Sequence, residues 1–279
     1  MQYGLSIPNI GTEFADPRRV AALAHEAEAA GWDGFFVWDH IGANWPWPVA
    51  DPWVMLAAIA LHTTHLRLGP LVTPLPRRRP WKVAREAVTL DHLSDGRLIF
   101  GAGIGSDSEQ EYSCYGEPND PRLHGAMLDE ALTILTGLWS GQPFTFVGAH
   151  YQIHAAHFLP PPVQQPRIPI WIAGLWPNKQ PFRRAARWDG VCPIGRDAPL
   201  QPEDVGQMVS YLHQQRDAAV PFDITCGGQT AGTDPVRDAE RVAQYAEAGI
   251  TWWIEDLNNW RGPFDEQHAR LRRGPPRSR

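Results

Sequence analysis

The stretch FFVWDHIGANWPW, Phe35 to Trp47, leaves an apolar, strand-like run and enters an acid, a histidine and three indoles. Asp39 and His40 are the pair whose chemistry is most readily named. Imidazole changes charge near neutral pH, so it can give or take a proton, and a neighbouring carboxylate can orient it. The structural alternatives are a turn-capping Asp39 and a half-buried, hydrogen-bonded His40. His150, His154 and His157 also have ligand-like spacing. They lie across a suspected hairpin, however, where residues four and seven apart do not share a face as they would on a helix. No metal site is expected there. A hydrolytic metal centre would also want His-x-His after the first strand, which instead ends Ile7-Pro8-Asn9.

Glycines supply the second signal. Gly103, Gly105 and Gly174 lack a Cβ, so a flat ring or a phosphate can approach the backbone there, although each could equally be an ordinary turn glycine. "GAGIGS" is GxGxG rather than the dinucleotide fingerprint GxGxxG, and no Walker A sequence occurs. Trp38, Trp45, Trp47, Trp53 and Trp176 could wall a pocket for a planar ligand, though several must be core.

These residues need a scaffold that brings them together. Tyr3–Ile7 reads as a strand, and Asp16-Pro17 opens a helix with apolar residues at Val20, Leu23, Ala24 and Ala27 that stops at Gly31. Gly34–Trp38 is strand two, with a helix from Pro52 to about His62. Leu66–Val72 is strand three, with a helix to Leu93, and Leu98–Ala102 is strand four, with a helix over about Gly125–Trp139. A proline-rich insertion, residues 140–169, carries a hairpin, FTFVGAHYQIH, turning at Gly148-Ala149. The alternation resumes with strands at Ile170–Ala173, Gly190–Pro193, Phe222–Cys226 and Thr251–Glu255. Eight short, nearly all-apolar strands alternating with helices describe a (β/α)8 barrel, since both faces of each strand are then buried. A doubly wound open sheet is the runner-up. Residues 1–260 form this single domain, and the Arg-rich residues 261–279 are expected to be a solvated, partly disordered tail.

In such a barrel the chemistry sits where the strands end. Asp39-His40 ends strand two, Leu71-Val72-Thr73 strand three, Gly103-Ile104-Gly105 strand four and Ala173-Gly174 strand five. The net charge of -6 and the lack of a basic stripe argue against nucleic acid. Three scattered cysteines give no disulfide framework, the longest apolar run is too short for a membrane span, and the chain opens on a strand without a charged leader. A cytoplasmic protein acting on a small molecule is expected.

Taken in order, MQYGLSIPN, EAAGWDGFFVWDHI, DPWVMLAAIA, LRLGPLVTPLPRRRPWKVARE, LDHLSDGRLIFGAGIG, LDEALTILTGLWSG, FLPPPVQQPRIPIWIAG and RRAARWDG resemble the bacterial luciferase-like flavin-dependent oxidoreductases over roughly residues 1 to 260. The resemblance implies a (β/α)8 barrel with an insertion before strand five and FMN or the deazaflavin F420 as cofactor. It implies that His40 faces the flavin and serves proton or hydride chemistry, with Asp39 supporting it or touching the ring. Leu71 to Thr73 would carry a bulge with a non-prolyl cis peptide against the ring. Gly103, Ile104 and Gly105 would lie beside the cofactor, and Ala173-Gly174-Leu175 would form a phosphate-binding turn. It further implies a homodimer, to which the apolar second helix lends itself, and a separate flavin or F420 reductase, which in the FMN case delivers the reduced cofactor. Hydride transfer with F420 and oxygen insertion with reduced FMN both remain open, with a slight lean towards F420. A flavin-binding barrel without turnover, or a binding subunit, is the non-enzyme alternative.

Overall fold

The computed structural model describes residues 1–217 and 219–277. Nine strands form one parallel sheet: β1 (Gln2–Ile7), β2 (Gly34–Val37), β3 (Arg67–Pro70), β4 (Thr73–Pro74), β5 (Phe100–Gly103), β8 (Ile170–Trp176), β9 (Gly190–Gly195), β10 (Asp223–Gly228) and β11 (Trp252–Asp256). Their order is β3-β2-β1-β11-β10-β9-β8-β5-β4. A bridge from Leu68 to Leu98 joins the two ends, with Ile99 N–H donating to Leu68 O at 2.8 Å. The sheet thus closes into the expected barrel of eight strand positions, with β3 and β4 two parts of the third. The open-sheet alternative is excluded by this seam.

Helices follow the strands: α1 (Pro17–Ala29), α2 (Pro52–His62), α3 (Pro80–Leu93), α4 (Pro121–Trp139), α5 (Lys179–Ala185), α6 (Pro202–His213), α7 (Pro235–Glu247) and α8 (Phe264–Arg272). Six of them begin on proline, where the missing N–H has no partner to lose and φ is already helical. Asp16 and Asp51 cap α1 and α2, each accepting two backbone N–H bonds. The proline-rich insertion is a hairpin of β6 (Phe144–Val147) and β7 (Gln152–Ala156), tied to α4 where Glu130 accepts from the N–H groups of Ala149, His150 and Tyr151.

The C-terminal segment departs from the sequence reading. α8 docks on the barrel and completes the eighth βα unit, burying Gln267, Arg270 and Leu271. Glu255 is fully buried at the end of β11 and draws the Arg270 and Arg261 guanidinium groups onto it. An arginine in such a helix neutralises an interior acid instead of meeting water. Ser278 and Arg279 of the expected tail lie outside the described residues.

Side chains alternate across each strand, so the inward residues can be assigned by period two. Phe36, Ile99, Trp171, Cys192, Trp252 and Ile254 pack together inside the barrel. Trp171 contacts Trp252 and Phe36 with ring centroids 5.4 Å apart in each case. This aromatic plug fills the lower barrel, so any ligand chamber inside it lies above, at the C-terminal strand ends. Among the described residues no helix is long and apolar enough to cross a membrane.

Candidate active site

Continuing the alternation upward places Ser6, Trp38, Gly103, Ala173, Leu175, Ile194, Gly227 and Asp256 as the inward layer above the plug. Leu71 and Val72 pack against the plug from above, and the peptide between them is cis. The non-prolyl cis bond expected for the end of strand three is therefore present. A Cβ on Gly103 would stand 2.9 Å from Val72 Cγ2 and 3.3 Å from Ala173 Cβ. Glycine here lets those two side chains close over the strand. Beside it, Thr73 Oγ1 is buried with no hydrogen-bond partner among the described residues. The orphaned hydroxyl at this strand end fits a cofactor with a polar edge.

The other glycines answer to packing. Gly105 has φ +73°, in the left-handed region, and a Cβ there would strike the Tyr112 hydroxyl at 2.7 Å; that hydroxyl donates to Ile104 O. Gly174 turns its Cα towards α5, where a Cβ would sit 3.0 Å from Pro181 and 3.1 Å from Phe182. Its lack of a side chain is explained by that helix and not by the mouth.

His40 is held by groups far away in sequence. Asn9, at the end of strand one, donates through Nδ2 to His40 O and Ala50 O, both at 2.7 Å, and accepts from His40 N–H at 3.2 Å. The His40 Nδ1 lies 3.0 Å from Glu111 Oε2. Glu111 also accepts from the N–H groups of Ile41 and Gly42 and from Arg77 at 2.8 Å. Burial opposes ionisation of this carboxyl, but the bonds from His40 and Arg77 outweigh it and hold its pKa down to about 2. An ionised carboxylate only accepts, so Nδ1 carries the proton and Nε2 is left as the working nitrogen. Nε2 has no partner among the described residues, and the ring is 27% exposed. The Trp45 ring lies 5.0 Å from the imidazole and the Trp38 ring 6.1 Å.

Asp39 is not free for chemistry. Its side chain is fully buried, and its carboxylate accepts from Arg77 at 2.9 Å and Arg78 at 2.8 Å. Arg77 also donates to the Asp39 carbonyl oxygen and thus joins Asp39 to Glu111. Two carboxylates and two guanidinium groups cancel in a buried cluster under the histidine. Asp39 therefore positions His40 through the backbone and Arg77. The indoles divide. Trp38 stacks on Trp260, with centroids 6.1 Å apart, and Trp47 meets Trp260 edge-on at the rim. Trp53 packs on Phe100 and Trp176 on Phe182, both in the layer between strands and helices and away from the mouth. Asn9, Arg77, Glu111 and Trp260 escaped the sequence reading. "PRRRP" at Pro76 to Pro80 was the one local hint, because three arginines in a row near a barrel mouth require acids.

Glu111 gives a pH prediction. Its folded pKa is depressed, so its contribution is fully present above the unfolded value near 4.5 and is lost as pH falls towards 2. A shift of this size corresponds to about 3 kcal/mol at most. Urea unfolding at pH 6 should show Glu111→Gln less stable than wild type, with the gap narrowing by pH 3. Parallel pH profiles for the two proteins would refute the pairing.

Comparison with known proteins agrees with this geometry. A family model described as luciferase-like monooxygenase matches residues 1–278. An F420-dependent glucose-6-phosphate dehydrogenase of Kineococcus radiotolerans is 32% identical over 197 residues, 68% of this chain and 56% of that protein. Among solved structures, the coenzyme F420-dependent tetrahydromethanopterin reductase of Methanopyrus kandleri superposes with a TM-score of 0.78 at 17% identity, covering 97% of this chain and 96% of that one. The FMN complex of the oxygenating constituent of 3,6-diketocamphane monooxygenase from Pseudomonas putida gives 0.68 at 20% identity, over 82% and 67%. At such identities the structures speak for the fold alone. With a family model spanning nearly every residue and the barrel it implies closed by the Leu68–Leu98 seam, the chain belongs to the luciferase-like monooxygenase family of oxidoreductases.

Proposed function

We propose that the chain is an F420-dependent oxidoreductase acting on a small organic molecule, with its deazaflavin ring against Leu71, Val72, Thr73 and Gly103 and its phosphate end running past Ile104, Gly105 and the Ala173-Gly174-Leu175 end of β8, which is strand and not the turn the sequence suggested. The observation that carries this is the buried Thr73 hydroxyl, left without a hydrogen-bond partner among the described residues at the end of strand three. The cofactor, when bound, supplies the hydride; the protein supplies position and protons. Glu111 fixes the imidazole with Nε2 outward, and that nitrogen gives or takes the substrate's proton as charge changes. Trp38 and Trp45 flank the ring and keep water from the chamber. The F420-dependent relative from Kineococcus favours this cofactor. FMN-dependent monooxygenation, fed by a separate reductase, is the second reading, favoured by the FMN-bound structural neighbour.

The test is titration of the purified protein with F420 and with FMN, followed by cofactor fluorescence. Micromolar binding of F420, at least tenfold tighter than FMN, is expected; the reverse preference selects the second reading. If neither binds at micromolar concentration, the site assignment fails. A homodimer through α2 belongs to the same proposal, since that helix leaves Val54 and Leu61 on the surface, 64% and 69% exposed. Light scattering showing a monomer on the same sample would refute it.

A further inference from the structure

Across the barrel from Gly103, at the end of β11, stands a carboxyl group that the scheme above leaves unused. Trp252 and Ile254 of β11 point inward, so Asp256 does too, while Trp253 and Glu255 face the helices. Asp256 pairs in register with Ser6 of β1. Trp38 Nε1–H donates to Ser6 Oγ at 2.7 Å, which leaves the Ser6 hydroxyl proton for the Asp256 carboxyl. On the other side is Gly227 of β10, where a Cβ would come within 3.0 Å of Asp256 Oδ2. The strand order places β11 opposite β5, so Asp256 faces Gly103 across the mouth. Apart from His40, the inward residues between them are Trp38, Val72, Ala173, Leu175 and Ile194, apolar but for the indole N–H that Ser6 takes.

We propose that Asp256 is the substrate-recognising group of the mouth, hydrogen-bonding the single carbonyl or hydroxyl oxygen of a neutral, otherwise apolar substrate held between it and the Val72–Gly103–Ala173 wall. This rests on the reading of that wall as the cofactor site. The charged groups beside Asp256 are Glu255, which repels its charge, and Arg261, which donates to the Asp256 carbonyl oxygen and pairs with Glu255. Burial, followed by Glu255, pushes the Asp256 pKa up to about 7, which Arg261 and Ser6 only partly offset. At neutral pH the carboxyl is therefore partly protonated and can donate to a carbonyl oxygen, an action an ionised carboxylate cannot perform. A half-buried group with this capacity disfavours charged substrates, because the side chains walling it, Trp38, Val72, Ala173, Leu175 and Ile194, carry no charge.

The test uses cofactor-loaded protein with acetophenone and 1-phenylethanol as neutral probes and benzoate and benzylammonium as charged ones, followed by saturation-transfer NMR. The neutral probes should bind more tightly than the charged pair. Asp256→Leu should weaken acetophenone about tenfold, in line with losing a hydrogen bond to a buried polar group, and leave cofactor affinity unchanged. Acetophenone affinity should fall as pH rises through 7 in wild type. Asp256→Asn, which still has an N–H to donate, should keep the binding and lose that pH dependence. A residue that merely shapes the barrel would not separate the two profiles. Normal cofactor binding with equal acetophenone affinity in wild type and Asp256→Leu, or preferred binding of a charged probe, overturns the proposal alone. Failure of wild type to bind either cofactor overturns the cofactor site, and the proposal with it.

Discussion

His40→Ala is expected to lower turnover ~10²- to 10⁴-fold, the usual contribution of a positioned proton-transfer group, with cofactor affinity and folding retained. The geometry supports a loss at the upper end. Glu111 accepts from Nδ1, so the whole effect of the imidazole is concentrated at Nε2, the one ring nitrogen open to the chamber. Alanine keeps the backbone bonds to Asn9 and leaves the cluster of Asp39, Glu111, Arg77 and Arg78 charge-balanced, so little stability is at stake. Steady-state kinetics and thermal unfolding on the same preparation decide the matter. A protein that binds cofactor and turns over at the wild-type rate ends the catalytic assignment. One that unfolds earlier while the folded fraction turns over normally makes His40 a packing residue. Glu111→Gln should lie between wild type and His40→Ala in turnover, because glutamine can hold the ring but can also present its N–H and favour the wrong tautomer.

The legibility of the site follows from the range of the interactions that build it. The βα alternation, the helix start at Asp16-Pro17 and the hairpin turn at Gly148 are local, so residue type and spacing sufficed. His40 was legible because it ends a strand and strand ends form the mouth. Its partners were not. Glu111 is 71 residues away in a loop with no regular pattern, and Asn9 is 31 away on a strand end that looked empty of chemistry. Asp39 stood out as an acid beside a histidine, but only the folded chain shows that Arg77 and Arg78 have claimed it. Gly103, Gly105 and Gly174 looked alike in sequence. What separates them is the direction of the absent Cβ: into the mouth, onto Tyr112, or onto α5. Helix α8 was misread because its arginines suggest solvent, and the interior acid they serve lies in another element.

Glycines matter most at a place the cofactor signals do not touch. Gly69→Ala is expected to destabilise the protein by about 3 kcal/mol or more, at or beyond the upper end for overpacking. A Cβ at Gly69 would lie 1.8 Å from Ile99 O and 3.0 Å from Ile99 C, both backbone atoms that no rotamer change can move aside. This is the seam where β3 meets β5, and it is held by two bonds, Leu68 N–H to Arg97 O at 3.2 Å and Ile99 N–H to Leu68 O at 2.8 Å. Relieving the clash means spreading the strands, which breaks the bonds that close the barrel and loosens Val72 above them. Gly206→Ala is the contrasting change. It sits inside α6, nothing lies within 4 Å of its missing Cβ, and alanine there should stabilise by about 0.5 to 1 kcal/mol through helix propensity. Denaturant unfolding of both variants measures the difference. If Gly69→Ala unfolds at the wild-type midpoint, the third and fourth barrel strands are not pressed together as the Leu68–Leu98 bridge requires, and the closure of the barrel at that seam is wrong.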